Sequence, residues 1–326
     1  MVTRRVWLAG ASGWAALAAA GSEARAQAWP SRAITLVVPY PPGGLNDVVA
    51  RAYGDKLTQA LGVTVIIDNK AGAATTVASN YVAKAPPDGY TIYGGGTSLV
   101  INPTLQGNVQ YHPFDSFEPV SLMSVTPFIL QVHAAFPAKT VKELIEHVRA
   151  NPGKYHIASS GVGATNHMLA ELFKDMAKLN LTIVPYRGGA PAAQDLGAGI
   201  AQMMFSASLE AAPLLQRGAT RALAISSAKR SSAFPDLPTV EEAANLPGFG
   251  AEFWQCLVVP KGTPKPIIDR LQAAIAAIAA DKEMKERFAK QGVDLQSSTP
   301  QELRDLMVRE EKRWSTLIRE KGIKPE

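Results

Sequence analysis

The sequence predicts an α/β fold of two similar domains facing each other across a cleft, and three observations carry that prediction. Strand patterns and helix patterns alternate along the chain, which favours largely parallel sheets. Glycine-rich loops repeatedly follow the strand patterns, at the carboxyl edge where open α/β sheets bind ligands. A short echo, "VVPYPPGG" from Val37 and "IVPYRGGAP" from Ile183, runs strand, Pro-Tyr and paired glycines in both halves.

Taken in order, the β-branched run Ile34–Val38 reads as a buried strand. The pattern Val48, Val49, Ala52, Leu57, Leu61 then reads as a helix, with Asn46 or Asp47 as its N-cap. Between them "PYPPGGLND" holds more proline and glycine than a strand-to-helix turn requires. A second strand is expected at residues 63–67, then "DNKAGAATT" and a helix reaching Lys84. "PPDGY" turns the chain into a strand at residues 91–93, followed by "GGGTS". Another strand falls at residues 128–132, and "TVKE" from Thr140 has capping-box spacing for a helix that "NPGK" stops. The second unit has a strand at 155–159, the loop "SGVGATN", a helix at 167–178, the strand Thr182–Pro185 and the loop "YRGGAP". Later strands are expected at 201–205, 221–226 and 253–259, the last returning the chain to the first domain. Two closing helices follow, one striped by Ile267, Leu271, Ile275 and Ile278, the other by Leu303, Leu306, Trp314 and Leu317. Thr299-Pro300-Gln301-Glu302 joins an N1 proline to a capping box. Trp254 is expected in the hinge or core.

Composition narrows the function. At 326 residues, 47% hydrophobic and 19% charged, the chain can bury a sizeable core and divide into two domains. Its one cysteine, Cys256, rules out an intramolecular disulfide framework and a cysteine-built zinc site. The formal charge of +5 is spread along the chain without basic blocks or interleaved aromatics, so no nucleic-acid partner is expected. The N-terminus reads as an export signal: Arg4 and Arg5, an apolar stretch to Ala20, and small-residue cleavage sites at Ala24-Arg25-Ala26 and Ala26-Gln27-Ala28. Residues 1–26 are therefore expected to be removed. "TRRVWL" favours twin-arginine over Sec export by a narrow margin. The apolar stretch is shorter than the ~20 residues of a membrane span, and no later segment inserts in a membrane. The mature protein is expected in a bacterial periplasm.

The loops offer little for catalysis. Ser159 and Ser160 stand in "HIASSGVG", which lacks the leading glycine of a nucleophile elbow. No Gly-x-x-x-x-Gly-Lys phosphate loop occurs, and the five histidines show no metal-ligand spacing, so no catalytic residue, metal or cofactor is expected. "SGVGATN" is one residue short of a dinucleotide fingerprint: Gly161 and Gly163 are followed by Asn166, which reads as an N-cap instead of the third glycine. An exported NADP-dependent oxidoreductase, with Arg187 toward a 2′-phosphate, is thus one alternative. The other reading is a binding cleft. Glycine loops at helix starts expose N–H groups and favour anions, so "PPGGLN", "SGVGATN" and "RGGAP" each read as a cradle, or as no more than a tight turn.

Several segments carry a resemblance: "WPSRAITLVVPYPPGGLNDVVAR", "APPDGYTIYGGGTS", "SSGVGATNHMLAELFK", "VPYRGGAPAAQDL", "RALAISSAKRSSAFPDLPTVEEA" and "LVVPKGTPKPIIDRL". In this order they resemble the solute receptors of tripartite tricarboxylate transporters, the Bug receptors. The resemblance implies a two-domain periplasmic-binding-protein clamshell, type II-like, that closes on a small organic carboxylate and delivers it to membrane transporter subunits. It implies domain one at residues 27–126 and 253–326, and domain two at 127–252. A monomer is expected. A signalling protein in place of the transporter is a further alternative.

The implied ligand residues begin with Tyr40, Pro42, Gly43, Gly44, Leu45, Asn46 and Asp47, with Gly96, Thr97 and Ser98 on the first-domain wall. The second domain adds Ser159, Ser160, Gly161, Gly163, Ala164, Thr165, Asn166 and His167, then Tyr186, Arg187, Gly188, Gly189, Ala190 and Ser206. Members of the family commonly read Pro-Gly-Gly-Ser-Thr-Asp where this chain has Leu45 and Asn46, and Phe-Asp where it has Phe205-Ser206. Those departures predict a ligand with a less polar body, aromatic or dicarboxylate, and not a cationic amino acid. Tyr40 and Leu45 are its candidate walls, unless Leu45 packs inside its own loop. Arg187 reads either as a clamp on a distal carboxylate or as a solvated loop cation. His167 is expected to cap or pack at its helix start.

Overall fold

The computed structural model describes residues 29–231 and 233–325; the expected export segment lies outside the described residues. The chain runs β1 (Ile34–Val38), α1 (Leu45–Leu61), β2 (Val65–Asn69), α2 (Thr76–Ala83), β3 (Thr91–Gly96), α3 (Ser98–Gln106) and β4 (Phe117–Pro127). It continues through β5 (Ile129–His133), α4 (Val141–Ala150), β6 (His156–Ser159), α5 (Thr165–Met176), β7 (Thr182–Pro185) and α6 (Gly189–Gly197). Next come β8 (Met203–Ser206), α7 (Ser208–Gln216), β9 (Thr220–Ile225), α8 (Val240–Ala244) and β10 (Glu252–Pro260). The chain closes with α9 (Lys265–Ala279), α10 (Lys282–Ala289), β11 (Asp294–Leu295) and α11 (Pro300–Lys321).

These elements form two α/β lobes, each built on one sheet. The first sheet has the order β11-β4-β10-β3-β1-β2, the second β7-β6-β8-β5-β9. Without the two-residue β11, both follow one plan: second, first, third, an inserted strand, then the fourth. The inserted strands, β10 and β5, are the ones that arrive from the other lobe. Both run antiparallel to their two neighbours, while β1–β2, β1–β3, β6–β7 and β6–β8 are parallel. The sheets are thus mixed, where the strand–helix alternation predicted them largely parallel. A strand entering from the hinge side runs against those wound within the lobe. The plan also corrects the echo: the strand equivalent to β1 is β6, not β7, so "VVPYPPGG" and "IVPYRGGAP" stand at different places in their sheets.

The strands of each parallel trio are covered by helices on both faces, so they read as apolar runs. Ile34, Leu36, Val37 and Val38 of β1 are fully buried. Ile267, Leu271, Ile275 and Ile278 of α9 are buried, as are Leu303, Trp314 and Leu317 of α11. Strand β4 was not legible in the sequence. Pro119 and Pro127 discourage a strand reading, yet Pro127 ends the strand, and Pro119 faces Val258 at a register shift where the ladder is already interrupted.

The chain crosses between the lobes where β4 passes into β5 and again between β9 and β10. Ser226 ties these crossings together. Its Oγ accepts the Phe128 N–H at 2.9 Å and donates to the Ala251 carbonyl at 2.6 Å. Its N–H donates to Phe128 O, and its carbonyl accepts the Ala251 N–H.

Candidate ligand-binding cleft

The carboxyl ends of β1, β2 and β3 in one lobe and of β6, β7 and β8 in the other launch α1, α2, α3, α5, α6 and α7. The first turn of a helix has N–H groups with no intrahelical acceptor, and here no N-cap side chain accepts them. The N-cap residues are Gly44, Thr75, Thr97, Ala164, Gly188 and Ala207. The Asn46 or Asp47 cap expected for α1 is therefore Gly44, and the Asn166 cap expected for α5 is Ala164. The Asp47 and Asn166 side chains are spent elsewhere.

Asp47 is buried and its carboxylate holds the first loop together. Oδ2 accepts the Gly43 N–H at 2.9 Å and Arg51 Nε at 2.8 Å, and Oδ1 accepts Asn69 Nδ2 at 2.8 Å. Burial alone would raise its pKa. The bonds from Arg51, Gly43 and Asn69, with the Arg51 charge, outweigh that and hold it below the usual carboxylate value. Asn69 also donates to Tyr40 O at 3.0 Å, fixing the start of the loop. Pro42, Gly43 and Gly44 stay exposed, while Leu45 and Asn46 turn inward. Leu45 joins the hydrophobic core. Tyr40 shares a 3.1 Å hydrogen bond with Ser98, and burial pushes its phenol pKa up. Its ring stands edge-on to Phe253 at 6.3 Å. Gly96 and Thr97 are buried at the end of β3; a Cβ on Gly96 would come 2.7 Å from the Trp254 carbonyl. Trp254 itself is buried in β10.

In the second lobe Asn166 draws the loop onto the sheet. Its Oδ1 accepts Ser160 N at 3.1 Å and Ser160 Oγ at 2.8 Å, and its Nδ2 donates to Phe205 O at 3.2 Å. Gly161 packs against the Tyr186 carbonyl, and the Tyr186 hydroxyl donates to Asp195 at 2.7 Å. Arg187 and Ala190 are exposed, and Arg187 makes no ion pair among the described residues. Ser159 Oγ, Thr165 Oγ1, His167 Nδ1 and Ser206 Oγ are buried without a hydrogen-bond partner in the protein, as is Asn46 Oδ1 in the first lobe. Buried polar atoms are rarely left so, and a cluster of them marks a place where a ligand or water completes the bonding. Burial first, and the Lys174 charge second, push the His167 pKa down to about 4, so the ring is neutral at pH 7.

The two lobes touch. Ser98 Oγ donates to the Gly163 carbonyl at 3.3 Å. Gly163 has φ +78, and a Cβ there would come 2.4 Å from Asn102 Oδ1 and 3.1 Å from Leu105. Further along the seam Ser208 Oγ donates to Gln291 O, and Lys321 pairs with Asp175 at 2.9 Å. The cleft is closed. Among the described residues no nucleophile–base pair lies in it: Ser160 Oγ is bonded to Asn166, and Ser159 Oγ and His167 Nδ1 have no protein partner. Asn102 of the opposite lobe lies against Gly163 of the glycine turn. Among the described residues, no group of three His, Cys, Asp or Glu side chains is placed to hold a metal ion. Asn102, Leu105 and Glu210, which lies against Gly189, belong to this region and were missed in the sequence, where they are ordinary helix residues.

Residues 49–323 match the family described as "Tripartite tricarboxylate transporter family receptor". The chain belongs to that family. The receptor is 38% identical over 306 residues to the UPF0065 protein in the tcbD-tcbE intergenic region of Pseudomonas sp. (strain P51), covering 93% of this chain and 91% of the relative. Among solved structures, R. palustris Rpa4515 with adipate is 33% identical, with TM-score 0.86, covering 91% of this chain and 100% of that one. The periplasmic binding protein BugD is also 33% identical, with TM-score 0.83 and the same coverage. The receptor therefore has the clamshell fold of periplasmic binding proteins, and the oxidoreductase alternative is not favoured.

Proposed function

We propose that this receptor binds a small organic carboxylate between its lobes in the periplasm and delivers it, as a non-catalytic monomer, to the membrane subunits of a tripartite tricarboxylate transporter. The observation that carries this reading is the convergence at the closed seam of helix starts without side-chain caps and buried polar atoms without protein partners. Such starts favour anions. Charge-assisted hydrogen bonds contribute roughly 1.5–3 kcal/mol each, so a few of them, with apolar burial, account for a micromolar ligand of about 8 kcal/mol. The similarity to a protein solved with adipate supports the ligand class, and the similarity to BugD supports the compartment.

In this reading the cradles are the N-terminal turns of α1 and α5. The site comprises Tyr40 to Asp47, Gly96 to Ser98, Ser159 to His167, Tyr186 to Ala190 and Ser206. Asp47 and Asn166 shape their loops while main-chain amides meet the anion. Tyr40 and Phe253 give the ligand's body an apolar wall, and Ser206 supplies no charge for a cationic amino group. Domain one then comprises residues 27–126 and 253–326 and domain two 127–252. Strands β5 to β9 falling inside the second range support that division.

Thermal-shift titration of the purified mature chain with straight-chain and aromatic carboxylates tests the function. Ligand at about 100 Kd adds roughly 2.7 kcal/mol of stability. Stabilisation by carboxylates, and none by NADPH, is the expected outcome. Stabilisation by NADPH, with no carboxylate effective, overturns it.

A further inference from the structure

The second lobe carries a carboxylate of its own at one of the helix starts. Glu210 is the third residue of α7, and its Oε2 accepts the Ala207 N–H at 3.2 Å. Its carboxylate lies directly on Gly189, the first residue of α6. A Cβ on Gly189 would come 1.7 Å from Oε1, 2.3 Å from Cδ and 2.8 Å from Oε2. Gly189 has no left-handed φ, so what excludes a side chain there is the carboxylate. Helix α6 has no side-chain cap, and with Pro191 at its third position the Gly188, Gly189 and Ala190 amides are the donors at its start. Glu210 therefore sits between the N-terminal ends of two neighbouring helices, its own and α6, and both favour negative charge.

No cation pairs with Glu210 among the described residues. Arg187 is exposed on the adjoining loop, and Asp195 of α6 is bonded to Tyr186. Arg217, just past the far end of α7, lies against Gly197. Arg221 of β9 is taken up by the carbonyls of Phe136 and Ala138. His133 of β5 packs on Gly199. Lys290 precedes Gln291, whose carbonyl accepts Ser208, and is exposed. With no charge to oppose desolvation, burial pushes the Glu210 carboxyl up to about 7.

We propose that Glu210 is a specificity-determining residue: its carboxylate lies against Gly189 at the start of α6, so the receptor takes a monocarboxylate and rejects a ligand whose second carboxylate would reach that position. This rests on the carboxylate-receptor reading. One carboxylate is held by the helix starts left free, α1 and α5. The far end of the ligand, facing Glu210, is neutral or donates a hydrogen bond. An ionised Glu210 repels a second carboxylate. Once protonated it does not, and its hydroxyl becomes a donor, so dicarboxylate binding recovers as pH falls below about 7.

The test is calorimetry on the full mature chain with straight-chain acids from four to ten carbons in mono- and dicarboxylate series, and with benzoate and terephthalate, at pH 8.5 and at pH 6.3, where Glu210 is mostly protonated and the diacids are still mostly dianions. The wild type is expected to prefer the best monocarboxylate over the best dicarboxylate by at least ~30-fold at pH 8.5, and by no more than ~5-fold at pH 6.3. Glu210→Gln is expected to bring the ratio within ~3-fold at both pH values. A merely structural cap would change stability without moving this ratio. The wild-type pH comparison stands even if the variant folds poorly. Dicarboxylates bound by the wild type as tightly as monocarboxylates at pH 8.5, or a ratio unmoved by both pH and Glu210→Gln, overturns the proposal and leaves the carboxylate receptor standing. Failure of both series to bind removes the receptor reading and this one with it.

Discussion

Helices that begin at the cleft and helices that begin elsewhere are finished differently. Away from it, Thr140 accepts the Glu143 N–H at the start of α4, Thr239 the Glu242 N–H at α8, Asp281 the Met284 N–H at α10 and Thr299 the Glu302 N–H at α11. Helix α9 starts behind Pro264 without such a bond. At the cleft, none of the six starts has an N-cap side chain as acceptor, and the Glu210 carboxylate, bonded to the Ala207 N–H at one of them, lies against Gly189 at another. A side-chain cap is worth about 1 kcal/mol of stability. Its absence at all six starts on one face, where four of the five other helices have it, supports the reading that main-chain donors there are kept for a ligand.

The contrast breaks most sharply if a cleft helix is given a cap. Ala164→Asp places a carboxylate at the start of α5, on an extended backbone that suits a capping residue. It should raise Tm by about 2 °C through the new cap. By occupying one or two amides worth ~1.5–3 kcal/mol each, it should weaken carboxylate binding roughly 10–100-fold or more. Unchanged affinity in a titration would remove α5 from the site.

Asp47→Ala removes the brace of the first loop, leaves the Gly43 N–H unpaired and takes one of its two acceptors from the Asn69 amide. A loss of about 2–4 kcal/mol in urea unfolding is expected at pH 7. Because the folded-state pKa of Asp47 lies below its unfolded value, its contribution is fully present above about pH 4 and fades as pH falls through the lower folded value. The difference between variant and wild type should therefore shrink below pH 4.

Thr140→Ala, at a helix remote from the cleft, should cost about 1 kcal/mol, or roughly 2 °C in Tm, with affinity unchanged. The smallest effect belongs to Arg187→Ala, for which less than a threefold change in carboxylate affinity is expected. A tenfold loss confined to dicarboxylates would instead make Arg187 a clamp and count against Glu210 as the group that meets the far end of the ligand.

Much of the architecture could be read because burial on both faces writes strands as apolar runs: β1 and β7 were placed to the residue. Orientation could not be read, since whether β5 and β10 run with or against their neighbours depends on which lobe they come from. Strand β4 was hidden by Pro119 and Pro127, whose positions are acceptable only once a register shift and a strand end are known. In the loops the residue types were right and some roles differed. Asn46, Asp47 and Asn166 look like caps in one dimension, but in space Asp47 and Asn166 bond other loops and strands, and Asn46 keeps a buried oxygen free. Glu210 and Gly189 are neighbours only through helix packing, which no local pattern encodes.

The Ser226 tie has a practical consequence. With one hydroxyl and its own peptide groups bonded to both connecting segments, bending one segment pulls on the other, so the two crossings are braced as one hinge. A hinge of that kind can be followed with one distance. A donor–acceptor dye pair, one on the outer end of each lobe, would then serve as a calibrated sensor for whichever acid the receptor carries.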